Sequence, residues 1–274
     1  MRGAADTMAQ IDLISSRANP WIKDLRRLAH DGAAYRKQGL VWVEGEHLLA
    51  AALAGGRRLQ TLVLAQSQQD SMLAQWQPQA ERTVVVADAL WREFTALESP
   101  AMIGALLSWE RSSAWRPDVP TVVLDRLQDA GNVGSVLRSA AAFGFVQVLA
   151  LQGCAALWSG KVLRAGMGAH FGMQLFEGVQ AEELQGLALP LLATSSHGGQ
   201  ALHEQALPWP CAWVFGHEGQ GVSLDLLARA TQAVRIIQPG GQESLNVAAA
   251  AAICLHASAV SSVRQSAGTD GAGL

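Results

Sequence analysis

Cysteine is scarce: the 274 residues hold three, Cys154, Cys211 and Cys254, far apart. An odd, scattered set offers neither a disulfide framework nor a Cys-x-x-Cys spacing, and suits a reducing compartment. Charge is scarce as well. Only 16% of residues are charged and the formal net charge is −3. That excludes attraction of nucleic acid by the molecule as a whole, so any such binding needs a local patch. Long hydrophobic runs are missing. The longest, 245–260, is interrupted by Asn246, His256 and Ser258 and is too short for a bilayer. The opening "MRGAADTMAQIDLISS" lacks the apolar core of a signal peptide. The seven histidines show no ligand spacing. A cytoplasmic protein with no membrane segment and no metal site is expected.

Half of the residues are apolar, enough for a sizeable core, and the length suits two domains. In "ANPWIKDLRRLAHDG", Asn19 is a good N-cap, Pro20 suits the first helical position, and Gly32 can close the helix. Strand candidates follow at 40–43, 59–65 and 82–88, with a helical pattern in "EHLLAAALAGG", which together predict a small α/β domain over 11–107. The polar, aperiodic stretch 108–119 reads as a linker. A second α/β pattern then begins, with apolar runs at 121–125, 146–151, 189–195, 211–216 and 233–237. Strands this continuously apolar predict a parallel sheet covered on both faces, in a domain over 120–262. The small, polar tail 263–274 is expected to be disordered.

Ligands of open parallel sheets bind beyond the carboxyl ends of the strands. Three polar, glycine-bearing segments fall at such ends. In "LDRLQDAGNVGSVLRSAAAFG" (124–144), a loop carrying Asp129, Gly131 and Asn132 leads into a helix. Arg138 follows Gly134 by four residues, and the absent side chain leaves room for its guanidinium to reach toward the helix mouth. A helix N-terminus with an arginine suits phosphate; an ordinary capped helix with a surface arginine is the plainer alternative. In "VFGHEGQGVS" (214–223), three glycines allow close backbone approach to a ligand and surround Glu218, which a turn alone does not require. His217 is expected to be a solvated loop histidine. In "QPGGQESLNVAAAAAICLHA" (238–257), Ser244 and Asn246 precede an alanine helix, where helix capping is the simple explanation. The dinucleotide spacing G-x-G-x-x-G and the hydrolase elbow G-x-S-x-G are both missing, and "TSSHGG" (194–199) has no evident acid partner.

Taken in order, "DAGNVGSVLRSAAAFG", "FGHEGQGVS" and "ESLNVAAAAAICL" resemble the SpoU (TrmH-type) class of the SPOUT RNA methyltransferases. "ISSRANPWIKDLRRL", Arg36 and "VEG" (43–45) resemble the substrate-binding domain that often precedes that catalytic domain. The chain departs from the family pattern at Ala130, where proline is usual, and at His217, where a small polar residue is usual. The resemblance implies an α/β protein: a parallel-sheet SPOUT domain with a C-terminal trefoil knot, behind a small α/β RNA-binding domain. It implies transfer of a methyl group from S-adenosyl-L-methionine to a ribose 2′-hydroxyl, by a homodimer with the site near its interface. Ribosomal RNA is the expected substrate, because the front domain resembles ribosomal-type RNA binders; transfer RNA, or an RNA binder without catalysis, are the alternatives. Carried onto this chain, the reactive residues are Asn132, Arg138, Glu218, Ser244 and Asn246. The cofactor residues are Gly216, Ile236, Leu245 and Thr194.

RNA affinity is expected from the front. Residues 1–42 hold seven cations (Arg2, Arg17, Lys23, Arg26, Arg27, Arg36, Lys37) against four aspartates (Asp6, Asp12, Asp24, Asp31). Arg17, Lys23 and Arg36 are the candidate phosphate contacts. Most of the nine tryptophans are expected in the core, with only Trp109 and Trp115 in the linker. The closing helix, 246–260, is apolar nearly all round, which favours cover by a twofold partner.

Overall fold

The computed structural model describes residues 11–95, 97–112, 114–195, 198–240 and 244–270, the last seven by backbone alone. Arg2, Asp6, Ser196, His197, Gly241 and the tail 271–274, all used above, lie outside the described residues. Two compact units emerge: the chain up to Glu110 together with Trp158–Gly160, and the remainder.

The first unit has strands β1 (Ile11–Ile14), β2 (Leu40–Glu44), β3 (Leu59–Ala65), β4 (Ala80–Val86) and β5 (Ile103–Ser108), in the order β1-β4-β3-β5-β2. The first three strands in that order run parallel, and β5 is antiparallel to both its neighbours. Its helices are α1 (Pro20–His30), α2 (Tyr35–Gln38), α3 (Glu46–Ala54), α4 (Gln69–Trp76) and α5 (Asp88–Trp91). Helix α1 starts as its sequence dictates: the Asn19 side chain accepts the Trp21 amide at 2.9 Å and Pro20 takes the first turn. Its buried stripe is Ile22, Leu25 and Leu28. The C-cap is Asp31, whose amide donates to Arg27 O at 2.9 Å; Gly32, expected there, comes one residue later. Strand β5 has little of the β-branched signature of a strand. It is held by packing instead: the Trp42 indole lies over Gly104, where an added Cβ would fall 2.1 Å from the ring.

The expected linker is not free chain. Trp109 belongs to the first unit: its amide donates to Gly39 O at 2.8 Å and its ring meets Tyr35 edge-on at 4.9 Å. From Trp115 the chain is built into the second unit. Trp115 packs on that core, and Arg116 exchanges two hydrogen bonds with the Gln147 side chain, at 2.8 and 2.9 Å.

The second unit is a seven-stranded, wholly parallel sheet. Its strands are β6 (Thr121–Asp125), β7 (Gln147–Leu151), β8 (Gln174–Val179), β9 (Leu191–Thr194), β10 (Gln200–Ala201), β11 (Ala212–Gly216) and β12 (Gln232–Arg235), in the order β10-β12-β9-β11-β6-β7-β8. The central strands β11, β6 and β7 are buried at every position, which is why they read as unbroken apolar runs. The helices are α6 (Ala130–Ala142), α7 (Gly160–Gly166), α8 (Leu224–Arg229) and α9 (Val247–Asp270). Helix α9 continues to Asp270, so the disorder expected from 263 is replaced by helix as far as that residue. The chain moves outward from β6 through β7 to β8 and then resumes on the far side of β6. That reversal puts the topological switch point between β6 and β11, where Gly216 pairs with Asp125.

Candidate active site

Loops leaving the carboxyl ends of β6 and β11 meet at this switch point. After β6, Asp129 caps α6 by accepting the Asn132 amide at 2.8 Å. Gly131 and Asn132 therefore lie in the first helical turn rather than in the loop expected for them. After β11, the chain folds back on itself. Gly221, at φ +69°, donates to His217 O at 2.8 Å. An added Cβ on Gly216 would lie 2.1 Å from the Gly221 carbonyl carbon, so only glycine permits this closure.

His217 is half-buried in the loop, and its side chain is part of the turn. Its Nδ1 accepts the amides of Gly219 at 3.0 Å and Gln220 at 3.3 Å. It thus does for its own backbone what a small polar residue does in other turns.

The fold-back aims Glu218 at the start of α6. Its carboxylate accepts the Asp129 amide (3.0 Å), the Gln128 amide (3.3 Å) and Asn132 Nδ2 (3.3 Å). Burial alone would raise its pKa, but these hydrogen bonds and one from its own amide outweigh that and keep it below the usual value. The chain of contacts continues to α9. Asn246 Nδ2 donates to Asn132 Oδ1 at 3.0 Å, while Asn246 Oδ1 accepts the amides of Ala248 (2.9 Å) and Ala249 (3.2 Å). Both carboxamide orientations follow: each oxygen accepts and each nitrogen donates. So Asn246 caps α9; Ser244, two residues earlier, leaves that task to it.

Beside this cluster lies a cleft of about 640 Å³, lined by Thr194, Ser195, residues 216–221, Val234, Ile236, Gln238, Ser244, Leu245, Val247 and Ala250. Its size is that of a small-molecule site. All four expected cofactor residues line it, as do Glu218 and Ser244. Gln238, absent from the expected set, presents a buried Oε1 with no hydrogen-bond partner among the described residues. The short stretch 236–240, outside any strand or helix, carries no pattern that would have flagged it.

Arg138 is not gathered with the others. It is exposed on α6 and does not line the cleft. The space at Gly134, expected to receive its guanidinium, is taken by α7: an added Cβ would meet Ala165 Cβ at 2.5 Å and Val162 O at 2.6 Å. Gly134 serves close helix packing. The cysteines are not nucleophiles at neutral pH, since burial pushes Cys154 up to about 11 and Cys211 and Cys254 to about 12.

In the first unit, Arg17 and Arg26 both reach Glu93, at 3.1 and 2.8 Å, while Arg82 pairs with Asp12 at 2.6 Å. Charges from outside residues 1–42 thus enter the balance on both sides. Lys23 and Arg36 are exposed, and the Arg36 guanidinium lies 5.5 Å from the centre of the Tyr35 ring. Four of the nine tryptophans (42, 76, 91 and 213) are buried.

A parallel sheet carrying a polar cluster at its switch point, with a small-molecule cleft beside it at the ends of β9, β11 and β12, defines the class, an α/β protein of the SPOUT methyltransferase fold. The chain belongs to the SpoU rRNA Methylase family, whose model matches residues 120–256; an MRM3-like substrate binding domain matches 19–105. An uncharacterized tRNA/rRNA methyltransferase of Synechocystis is 32% identical over 262 residues, covering 90% of this chain and 93% of that protein. The 23S rRNA (guanosine(2553)-2′-O)-methyltransferase RlmP of Bacillus subtilis is 28% identical, over 89% of this chain and 97% of its own. The crystal structure of an rRNA methyltransferase from Sinorhizobium meliloti superimposes with a TM-score of 0.79 at 26% identity, over 91% and 97% of the two chains.

Proposed function

We propose that this chain methylates a ribose 2′-hydroxyl of ribosomal RNA with S-adenosyl-L-methionine, as a cytoplasmic homodimer. The observation that carries this reading is the hydrogen-bonded chain Glu218–Asn132–Asn246 at the rim of the 640 Å³ cleft. The cleft fits the methyl donor. Val234, Ile236, Leu245 and Val247 offer apolar walls, and the unpartnered Gln238 Oε1 is an acceptor awaiting a donor. Thr194, Gly216, Ile236, Leu245 and Gln238 would hold the molecule, which supplies an electrophilic methyl on a sulfonium sulfur.

The remaining chemistry falls to the chain. Asn132 and Asn246, locked by each other, position the ribose, with the Ser244 hydroxyl beside them. Glu218 stays ionised and fixes Asn132 rather than taking a proton. Arg138, always charged, holds an RNA phosphate and offsets charge developing on the 2′-oxygen. The ribose 2′-hydroxyl held there would accept the methyl group that the bound donor supplies, and would give up its proton to water or a substrate phosphate.

Arg138 lies outside the cluster of its own chain, which supports a site completed by a second copy. Helix α9 supports the same reading. It buries one stripe (Ala251, Cys254, Leu255 and Ser258), where Trp213 Nε1 donates to Ser258 Oγ at 2.9 Å, and leaves Ile253 41% exposed on another side. The family's trefoil knot belongs to this proposal; β12 lying between β10 and β9, and α9 packing on α6 and β11, are in keeping with it. The exposed Arg17, Lys23 and Arg36 supply the RNA contacts.

Mapping 2′-O-methyl sites in total RNA with and without the protein tests the function; an unchanged map overturns it. Arg138→Ala is expected to lower methyl transfer at least ~100-fold while leaving S-adenosyl-L-methionine affinity nearly unchanged. Near-normal turnover would remove Arg138 from the mechanism. Sedimentation showing an active monomer at micromolar concentration would overturn the dimer.

A further inference from the structure

Resting on that reading of the site, we infer that Asp125, at the carboxyl end of β6, is a positioning residue that clasps the 217–223 loop and so keeps Glu218 aimed at Asn132. Asp125 is 2% exposed, pairs in register with Gly216, and accepts the Ser223 amide at 2.7 Å. Its other oxygen accepts Arg126 Nε at 2.8 Å, and Arg126 Nη1 in turn donates to Gln220 Oε1 at 3.0 Å. Arg126 adopts a left-handed backbone, φ +59°, uncommon for a side-chain-bearing residue and worth its strain only where the turn is needed.

Three successive points of the loop are therefore held by the eight residues that end β6 and open α6. Ser223 is held by Asp125, Gln220 by Arg126, and Glu218 by Gln128, Asp129 and Asn132. Glu218 itself is exposed and contributes only side-chain acceptors, so it aligns Asn132 only if its own backbone is fixed. The far end of the loop is fixed by a buried carboxylate on a main-chain amide, where the geometry is as stiff as the sheet. Burial disfavours the charge on Asp125, yet the hydrogen bonds from Arg126 and Ser223 prevail and hold its carboxyl below the usual range, so the clasp stays anionic at neutral pH.

The test uses the full chain with Asp125→Ala and the isosteric Asp125→Asn, which keeps an acceptor for the Ser223 amide but loses the charge. Amide hydrogen exchange is followed without ligand, and methyl transfer and equilibrium binding of S-adenosyl-L-methionine are measured alongside. Exchange across 217–223 is expected to rise about 100-fold in Asp125→Ala and about tenfold in Asp125→Asn, with β6 and β7 as protected as before. Methyl-transfer kcat should fall in the same order while KM for RNA holds, and donor affinity should weaken about tenfold in Asp125→Ala, because the loop lines the cleft. Wild-type exchange in the loop of folded Asp125→Asn overturns the clasp. So does protection lost evenly across the whole sheet in that variant, which would mark a purely structural carboxylate. If Asp125→Ala does not fold, Asp125→Asn alone decides. Variant loops that exchange as described, beside a wild-type protein that transfers no methyl group, overturn the proposed function and leave the clasp standing.

Discussion

The arginine-bearing surface of one unit and the site of the other hold their anions in different ways. At that surface of the five-stranded unit, Glu93 takes Arg17 and Arg26, and Asp12 takes Arg82, by flexible and partly exposed side chains. In the seven-stranded unit, the anions at the site meet main-chain amides: Asp125 that of Ser223, Glu218 those of Gln128 and Asp129, Asp129 that of Asn132. Exposed ion pairs contribute up to about 1 kcal/mol each and shift with salt. A carboxylate on a backbone amide is as fixed as the strand or helix that carries the amide. The contrast matches the tasks proposed for the units, adaptable attraction of a phosphate backbone in one and fixed geometry in the other.

The comparison can be broken first at its most buried point. His170 in the seven-stranded unit is 1% exposed, with Nε2 2.8 Å from Leu157 O, and burial lowers its pKa from 6.5 to about 4. Between those values the unfolded chain binds a proton that the folded chain refuses, so stability falls as pH drops through that window. The loss should reach roughly 3 kcal/mol by pH 4. Urea midpoints of wild type and His170→Leu at pH 7 and pH 4 check this: the variant should lose distinctly less over the interval, and equal losses would refute it.

Close packing gives the next effect. Gly134→Ala places a methyl 2.5 Å from Ala165 Cβ and is expected to cost about 2 kcal/mol despite alanine's better helix propensity. A higher melting temperature in the variant would show α7 able to retreat, and the unit to be softer than its contacts suggest.

Surface charge should be gentler. Arg17→Ala, Lys23→Ala and Arg36→Ala together are expected to weaken RNA binding about tenfold at moderate salt. They should also flatten the logarithmic salt dependence by about two, with the urea midpoint nearly unchanged. An unchanged slope would move the RNA face elsewhere. The smallest effect is expected from Asn246→Ala: about 1 kcal/mol of stability for the lost α9 cap. Its methyl transfer should fall by more than that stability loss explains, because Asn132 loses its donor.

What the sequence determined by itself was local or periodic. Unbroken apolar runs announced β6, β7 and β11 because strands buried on both faces need no alternation. Asn19–Pro20 announced the start of α1, and strand-end polar loops announced Asn132, Glu218 and Asn246 as neighbours through their resemblance to one family. Strands β1, β5, β8 and β10 stayed hidden, since β5 exists through Trp42 lying over Gly104 and β10 through two residues pairing with β12. Only the tertiary structure decided what depends on distant atoms meeting. It assigned the α9 cap to Asn246 rather than Ser244, and gave the space at Gly134 to α7 instead of Arg138. It turned His217 inward onto its own turn and brought Asp125 to Ser223 across 98 residues of chain. Spacing along a chain encodes which face of a helix or strand a residue takes; which partner it meets there is set by the packing of every other element.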